Sequence, residues 1–317
     1  MLRAREVKLL NADKANRMLD AATFEEAAKL LTDCGYEDMS CMNAKEIEAQ
    51  LNRHRADIFY EIDRLAPDSD IANIFKMKYD YHNAKVILKA EAVGTKADDI
   101  LSDAGRIPGK ELKNLYEEGK YSSMPGELGK AMEEGKSVLA RTANPQQSDF
   151  VIDKAYFKEL SSAAEESGND FLRGYAKILI DSANLKSAVR TLRMGKGSDF
   201  MSATLASGGD VDKDRILNAS DKDALSELFA HSKLEAAAQK GAEAIDGGTL
   251  TAFELECDNA VNSYLCQAKL VSYGSEPLTA YLAAVENEIT AVRMILTGRL
   301  AGVNSSVIKE RLRDMYA

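Results

Sequence analysis

Two short stretches carry residue types that bind phosphate or calcium in other proteins. Residues 195–198, Gly-Lys-Gly-Ser, lack the Gly-x4-Gly-Lys-Ser/Thr spacing that surrounds a phosphate with backbone amides. Residues 210–214, Asp-Val-Asp-Lys-Asp, alternate carboxylates as the start of a calcium loop does. However, Arg215 stands where that loop needs glycine, and Asp221 stands where a bidentate glutamate is expected. Neither stretch predicts a phosphate or calcium site.

The nucleophilic and metal-binding residue types are few and scattered. The four cysteines are Cys34, Cys41, Cys257 and Cys266, and the three histidines are His54, His82 and His231. The cysteines lack zinc-knuckle spacing, and a chain of this size with so few thiols is unlike a disulfide framework. No serine or cysteine has a histidine partner by a local signature. The sequence therefore predicts reduced thiols, no catalytic residue, no metal and no cofactor.

A repeated pattern is more informative than any single motif. In three predicted long helices, an asparagine is followed six residues later by a base and eleven residues later by a glycine. The three sets are Asn83, Lys89 and Gly94; Asn184, Arg190 and Gly195; and Asn287, Arg293 and Gly298. The asparagines lie 101 and 103 residues apart (184 − 83 and 287 − 184). This spacing predicts a threefold internal repeat.

An aspartate, Asp80 or Asp181, precedes the asparagine by three residues in the first two copies, where the third copy has Ala284. Residues three apart share one helix face, and the rest of this face is small or apolar. Buried polar side chains need hydrogen-bond partners. We therefore expect a buried pair that ties one helix to its neighbour within each repeat.

A second face of the same helices is basic. Its residues are Lys85, Lys89, Lys186, Arg190 and Arg293. Two interpretations are open for this basic stripe: a solvated helix face, or a positively charged lining that binds an acidic partner element. The second interpretation makes these five residues candidates for partner binding.

The surrounding elements are predicted to be helices. Good helix formers are abundant, the chain has five prolines, and alternating Val- and Ile-rich runs typical of strands are nearly absent. The predicted long helices are roughly 44–65 (ending before Pro67), 71–93, 151–165, 170–194, 252–270 and 277–296, with a terminal helix over 305–315. Polar breaks near 142–148 and 246–248 divide the chain into three helical repeats, 1–143, 144–246 and a shorter 247–317.

Charge and hydropathy exclude other classes. The 317 residues carry a formal net charge of −10, which makes the chain a poor generic binder of nucleic acid or anionic lipid. No run approaches the ~18 apolar residues needed to cross a bilayer. Any membrane association must therefore go through a partner protein.

Several short stretches in a specific order, spread over essentially the whole chain, also resemble a known family. They are Arg3-Ala4-Arg5-Glu6, Leu9-Leu10, Leu30-Leu31, Gly35-Tyr36, residues 79–85 and 180–186, Asp153, Tyr156-Phe157, Glu276-Pro277-Leu278, Tyr281-Leu282, Glu286 to Arg293, Gly298 and Glu310-Arg311-Leu312. With them the chain resembles the C subunit of archaeal and bacterial A/V-type ATP synthases, a family related to the d subunit of the eukaryotic vacuolar ATPase.

This resemblance implies an all-α protein of three similar helical domains in a funnel-like, pseudo-threefold arrangement. It implies a non-catalytic rotor subunit that is the socket between the central stalk and the membrane ion-binding ring, and that transmits torque in ATP-coupled proton or sodium transport. The implied partners are the stalk and ring subunits, with one copy of this chain per complex, on the cytoplasmic side of the membrane. Members usually have an aromatic lead-in before the first Arg-rich helix, so we expect part of the opening helix to be missing here.

Two alternatives from other classes stay open at this point. The chain could be a cytosolic helical-repeat adaptor without a membrane machine, or an enzyme of unknown type. Rotor partners in a membrane fraction would distinguish the first alternative. A deep pocket with converging titratable groups would favour the second.

Overall fold

A computed structural model describes residues 2–66, 71–98 and 100–317. Every regular element within these ranges is helical, which confirms the predicted all-α class. Pro67, the predicted end of one helix, lies outside the described residues. The chain divides into two compact units. We call residues 72–248 the continuous unit, and residues 1–71 with 249–317 the split unit.

The continuous unit contains the middle helices of the chain. They are α5 (Ile71–Val93), α6 (Gly109–Glu117), α7 (Leu128–Thr142), α8 (Pro145–Glu166), α9 (Asp170–Arg193), α10 (Ser198–Thr204), α11 (Lys213–Leu217), α12 (Lys222–Phe229) and α13 (Glu235–Ile245), with a 3₁₀ turn at Tyr121–Ser123. Helix α8 packs against α7 and α9, and α9 also contacts α10 to α13. Helices α8 and α9 therefore form the middle of this unit.

Local sequence signals explain where these helices start. The side chain of Asn144 accepts a hydrogen bond from the backbone N–H of Gln146, and Pro145 occupies the first turn of α8, where its missing N–H costs nothing. Asn169 caps α9 in the same way through the N–H of Leu172. Each such cap contributes about 1 kcal/mol.

Large apolar side chains from α5 to α9 form the core of the continuous unit. Its fully buried members include Leu88, Leu112, Met132, Ile152 and Leu172. Each side chain of this kind contributes about 1.5–3 kcal/mol by leaving water. This packing fixes the long helices on which the repeated polar residues lie.

The split unit combines the two ends of the chain. Its helices are α1 (Leu2–Glu6), α2 (Ala12–Asp20), α3 (Phe24–Lys29), α4 (Ala44–Leu65), α14 (Leu250–Cys266), α15 (Glu276–Leu300) and α16 (Ser305–Lys309), with 3₁₀ turns at Thr32–Cys34 and Gln267–Leu270. Helix α15 contacts α1, α3, α4, α14 and α16. It is apolar on nearly all sides, as expected for a helix surrounded by others.

The observed helices test the predicted bounds. The predicted helices 44–65 and 71–93 are α4 and α5. Asn43 and Glu46 form a capping box that starts α4. The terminal helix predicted over 305–315 is wrong beyond Lys309, because α16 ends there. The division into three domains and their pseudo-threefold arrangement stay predictions.

Candidate functional site

The first repeated polar pair binds a loop. Asn83 lies on α5, and its side-chain amide donates to the carbonyl oxygen of Ser102 at 2.7 Å and accepts from the Ser102 N–H at 2.8 Å. One turn earlier, Asp80 Oδ1 accepts from the N–H groups of Arg106 and Ile107 at 2.9 and 3.4 Å. Both side chains are fully buried. We call Asp80, Asn83 and residues 102–107 the first clamp.

The second polar pair makes the same contacts on α9. Asn184 donates to the carbonyl oxygen of Ala206 at 2.9 Å and accepts from its N–H at 2.8 Å. Asp181 accepts from the N–H groups of Asp210 and Val211 at 3.0 and 3.2 Å. Both side chains are buried. We call Asp181, Asn184 and residues 206–211 the second clamp.

Both clamps correct the expected partner of the polar pair. The pairs are buried, but they bind irregular loops and not a neighbouring helix: the first pair binds the loop between α5 and α6, and the second pair binds the loop between α10 and α11. The reason is that helix backbone is already paired internally, whereas a buried loop leaves N–H and C=O groups that need partners. The loop residue that binds the aspartate comes four residues after the one that binds the asparagine in both clamps. These residues are Arg106 and Ser102 in the first clamp, and Asp210 and Ala206 in the second.

A glycine in each loop allows the carboxylate to come close. A Cβ placed on Gly105 would lie 2.2 Å from Asp80 Oδ1, and one on Gly209 would lie 1.9 Å from Asp181 Oδ1. Both separations are far below van der Waals contact, so a larger residue would displace the loop from the carboxylate. The two clamps therefore share an acid, an amide and a glycine in equivalent places.

The electrostatics of the two clamps differ. Burial raises the pKa of Asp80, while hydrogen bonding to the Arg106 guanidinium opposes this shift. Arg106 Nε lies 2.6 Å from Asp80 Oδ2, and Arg106 Nη1 lies 2.5 Å from Glu159 Oε1 on α8. Burial raises the pKa of Asp181 to about 6, and the backbone N–H groups of Val211 and Asp210 oppose this shift. The first clamp is thus charge-compensated, and the second relies mainly on backbone amides.

The ends of the three long helices reveal the register of the third copy. Gly94, Gly195 and Gly302 follow α5, α9 and α15 with φ angles of +70°, +62° and +70°. At each end, the residue after the glycine donates its N–H to a carbonyl five residues earlier, at 2.9, 3.1 and 2.9 Å. This is the Schellman arrangement, in which the left-handed residue is normally glycine.

Counting back from these glycines aligns the helices. Fourteen residues earlier stand three acids, Asp80, Asp181 and Glu288. Nine residues earlier stand three bases, Lys85, Lys186 and Arg293. The asparagine position of the third helix is then occupied by Ala291.

This alignment corrects two expected equivalences in the third copy. Helix α15 continues through Gly298 to Leu300, so the end of the helix predicted over 277–296 is wrong by one turn. Asn287 does not hold a loop in the manner of Asn83; it donates to the side chain of Asn262 on α14. Gly298 does not end the helix, because its backbone is ordinary α-helix. Ile308 packs against the position that a side chain on Gly298 would occupy.

Glu288 is the buried acid of the third helix. Its carboxylate accepts hydrogen bonds from the backbone N–H of Leu10 and from the hydroxyl group of Tyr36, the latter at 2.7 Å. Burial raises the pKa of Glu288 to about 7. As in the two clamps, an acid on a long helix binds backbone of an irregular segment, here the segment between α1 and α2.

Three of the candidate partner-binding bases, Lys85, Lys89 and Arg293, form ion pairs within their own units. Lys85 Nζ is 2.7 Å from Asp153 Oδ1, and Lys89 Nζ is 2.7 Å from Asp149 Oδ2; both acids lie on α8. Arg293 binds Glu48 on α4 through Nε and Nη2 at 2.6 and 2.7 Å. Lys186 and Arg190 also have polar or electrostatic partners. Their role toward another protein stays a prediction.

A reactive centre would need nucleophiles or metal ligands that converge. All four cysteines are free, and within residues 2–66, 71–98 and 100–317 no group of His, Cys, Asp or Glu could hold a metal ion. Asp212 caps α11 and Asp210 pairs with Lys177, so these acids of the calcium-like stretch have local structural partners. No described helix is long and apolar enough to cross a bilayer.

Comparison with known proteins identifies the family. The sequence profile described as "ATP synthase (C/AC39) subunit" matches residues 1–311 of the 317. The chain belongs to the ATP synthase (C/AC39) subunit family. The resemblance to the C subunit of V- and A-type ATPases is therefore confirmed.

Individual relatives in this family match along nearly the whole chain. The C subunit of the V-type sodium ATPase of Enterococcus hirae is 25% identical, over 100% of this chain and 97% of the relative. The C subunit of the A-type ATP synthase of Methanocaldococcus jannaschii is 27% identical, over 98% and 84%. The C subunit of the A-type ATP synthase of Haloquadratum walsbyi is 24% identical, over 98% and 95%.

Sequence reasoning missed the contacts of three residues that hold irregular segments in this chain. Gly105 and Gly209 were read only as loop residues, and Glu288 only as part of the stretch that resembles the family, because a buried acid and a loop glycine look like many others in a sequence. One signal was available for Glu288. If the third helix is aligned on Gly302, the glycine after its last apolar turn, Glu288 takes the position equivalent to Asp80 and Asp181.

Proposed function

We propose that this chain is the rotor subunit that joins the central stalk of a V/A-type ATPase to its membrane ion-binding ring. In this role it is a non-catalytic socket that transmits torque between ATP chemistry and proton or sodium transport. The observation that carries the proposal is the family match over residues 1–311, together with relatives that are named as C subunits and match along most of their length.

The helical framework supplies the stiffness that such a coupling needs. Buried side chains packed at crystal-like density transmit force with little compression. In this chain, irregular segments are also fixed. Asp80, Asp181 and Glu288 lie on long helices, and each accepts hydrogen bonds from backbone N–H groups of such a segment. A protein in this role needs interfaces and rigidity, and no reactive group.

The proposed partners are the stalk and ring subunits, with one copy of this chain in each complex. Attachment to the ring would place the chain peripherally on the cytoplasmic side of the membrane. The coupling ion would be chosen by the ring subunits. We further propose that the basic stripe of Lys85, Lys89, Lys186, Arg190 and Arg293 faces an acidic element of the stalk.

Binding to purified stalk subunits tests the proposal directly. The wild-type chain is expected to form a stable complex with them, with one copy of this chain by native mass spectrometry. Absence of binding to both the stalk and the ring would contradict the socket role. Capture of unrelated cytosolic proteins instead would favour a helical adaptor.

The basic stripe needs its own experiment, because its residues also have partners inside the molecule. Lys186→Glu with Arg190→Glu is expected to weaken stalk binding by about tenfold or more, as desolvated charge pairs do. Lys240→Glu is the matched control, since Lys240 is half exposed on α13 and its ion pair is with Glu243 on the same helix. Thermal unfolding of each variant separates lost binding from lost folding. Unchanged binding by a folded double variant would limit the stripe to an internal role.

A further inference from the structure

A cavity of about 380 Å³ lies beside the second clamp in the continuous unit. Helix α8 forms one wall, and the loop after α10 with the start of α11 forms the other. The lining residues are Lys154, Lys158, Ser161, Ser162, Leu205, Ala206, Ser207, Gly208 and Lys213. None of these described lining residues is acidic, in a chain whose net charge is −10.

The positive charges in this cavity are poorly neutralised. Lys154 is half-buried, and its Nζ donates to the neutral carbonyl oxygen of Ser202 at 2.9 Å. Burial lowers the pKa of Lys154, and the nearby charge of Lys213 lowers it further, while Glu134 opposes these effects only in part. Lys158 is exposed and pairs with an acid that does not line the cavity. Two cations therefore repel one another across a cavity that is large enough for a ligand.

The walls of the cavity are preorganised. Asn184 holds Ala206 by two hydrogen bonds, so the loop cannot move away from α9 without breaking the second clamp. Gly208 has a φ angle of +107°, and a Cβ there would lie 2.9 Å from Ser161 Oγ. The loop backbone thus packs closely on α8 and presents Ser207 beside the lysines. A rigid cavity of this kind binds a ligand without the entropic cost of first ordering a loop.

The first clamp shows that Lys213 is not needed for the clamp contacts. In the equivalent loop, where Ser102 corresponds to Ala206, Asp103 stands in the place of Ser207. By the same offset, Gly109 stands in the place of Lys213. The first loop thus has an acid and lacks the lysine, yet it makes the same clamp contacts. The positive charge at the second loop is a separate property.

We propose that this cavity is a binding site for a phosphate group, held by Lys154 and Lys213 and by the hydroxyl groups of Ser161 and Ser207. Two ammonium groups and two hydroxyl donors match an oxyanion that carries up to two charges and several acceptor atoms. A bound phosphate relieves the repulsion between the lysines. The proposal is independent of the socket role, since it rests only on the residues of this cavity.

Calorimetric titration of the full chain with inorganic phosphate and with pyrophosphate tests the site, with chloride at matched ionic strength as reference. Saturable binding is expected, with a dissociation constant of about 1 mM or tighter for at least one of them. Lys154→Gln and Lys213→Gln should each weaken it about fivefold or more. Ser207→Asp, which copies the acid of the first loop, should abolish it. Lys240→Gln is the control and should bind as the wild type does.

The unliganded variants are expected to fold, because removing either lysine relieves repulsion; circular dichroism checks this. Absence of saturable binding up to about 10 mM, or equal binding by Lys154→Gln and the wild type, would overturn the proposal. Association only with vesicles containing phosphatidylglycerol, without binding of either free anion, would also overturn it. In that case the lysines would be part of a membrane-facing surface.

Discussion

Asn184 and Ala206 are joined by two antiparallel hydrogen bonds, in which the side-chain amide pairs with the backbone as a neighbouring strand would. The same relationship joins Asn83 and Ser102. An asparagine places a donor NH2 group beside an acceptor carbonyl oxygen in one planar amide, and a single buried loop residue needs a partner for both its N–H and its C=O.

Asn184→Asp tests this pairing with almost no change in shape. The carboxylate keeps the acceptor for the Ala206 N–H but replaces the donor, so an oxygen faces the Ala206 carbonyl oxygen. We expect a loss of about 3 kcal/mol in the free energy of unfolding at neutral pH. Urea unfolding measures it. Asn114→Asp, on the exposed face of α6, should change stability by less than about 0.5 kcal/mol; equal losses would contradict the clamp.

Gly209→Ala tests the close approach of the second loop to Asp181. The new Cβ would overlap the carboxylate, so we expect a loss of about 1–3 kcal/mol in the free energy of unfolding. In an Asp181→Ala background the same change should cost much less, and the difference is the coupling energy of the two positions. Gly197→Ala is the control, because no atom lies within 4 Å of its Cβ position. Additive effects of the two substitutions would exclude the contact.

Arg55 and Glu286 form a buried ion pair at 2.9 Å that joins α4 to α15. Arg55→Met leaves the Glu286 carboxylate buried beside an apolar side chain, and we expect a loss of about 3–5 kcal/mol. Arg55→Met with Glu286→Leu should be less destabilised than the single variant, because no charge is left buried. Lys240→Met removes an exposed pair and should cost less than about 1 kcal/mol. A double variant less stable than Arg55→Met would argue against this account.

Glu288 makes stability depend on pH. Burial raises its pKa from 4.5 in a free side chain to about 7. Between these values the folded chain holds a proton that the unfolded chain releases, so this contribution is complete below about pH 4.5 and is lost as pH rises to about 7. Over that window it amounts to about 3 kcal/mol.

Glu288→Gln should remove this dependence. Its amide oxygen can accept from the Leu10 N–H, and its NH2 group can donate to the Tyr36 oxygen once that hydroxyl group rotates, so the variant stays paired without a charge. Between about pH 5 and about pH 7.5, the free energy of unfolding measured in urea should fall by about 2–3 kcal/mol less for the variant than for the wild type. Lys14, Tyr36 and Cys34 interact electrostatically around this site and are unchanged in the comparison. Exposed Glu118→Gln should follow the wild type; parallel pH profiles for all three proteins would exclude a raised pKa at Glu288.

The sequence by itself determined the helical class, both ends of α4 and α5, and the family. These depend on local signals: helix-forming composition, apolar periodicity, and the order of short stretches along the chain. It also indicated that Asp80, Asn83, Asp181 and Asn184 are buried, because they lie on apolar faces of long helices.

Only the tertiary structure decided what these residues bind. The partners of Asp181 are backbone amides 29 and 30 residues later in the chain. Because nearly every residue has the same backbone amide, no pattern of side chains in the sequence predicts which ones bind Asp181. The third copy was misaligned by one helical turn for a related reason. Gly298 and Gly302 are both plausible helix ends in a sequence, and the choice depends on where Ile308 packs and where the left-handed φ angle falls. Spacing along a helix is a local property, whereas the contacts that give the spacing a function form only when distant segments pack.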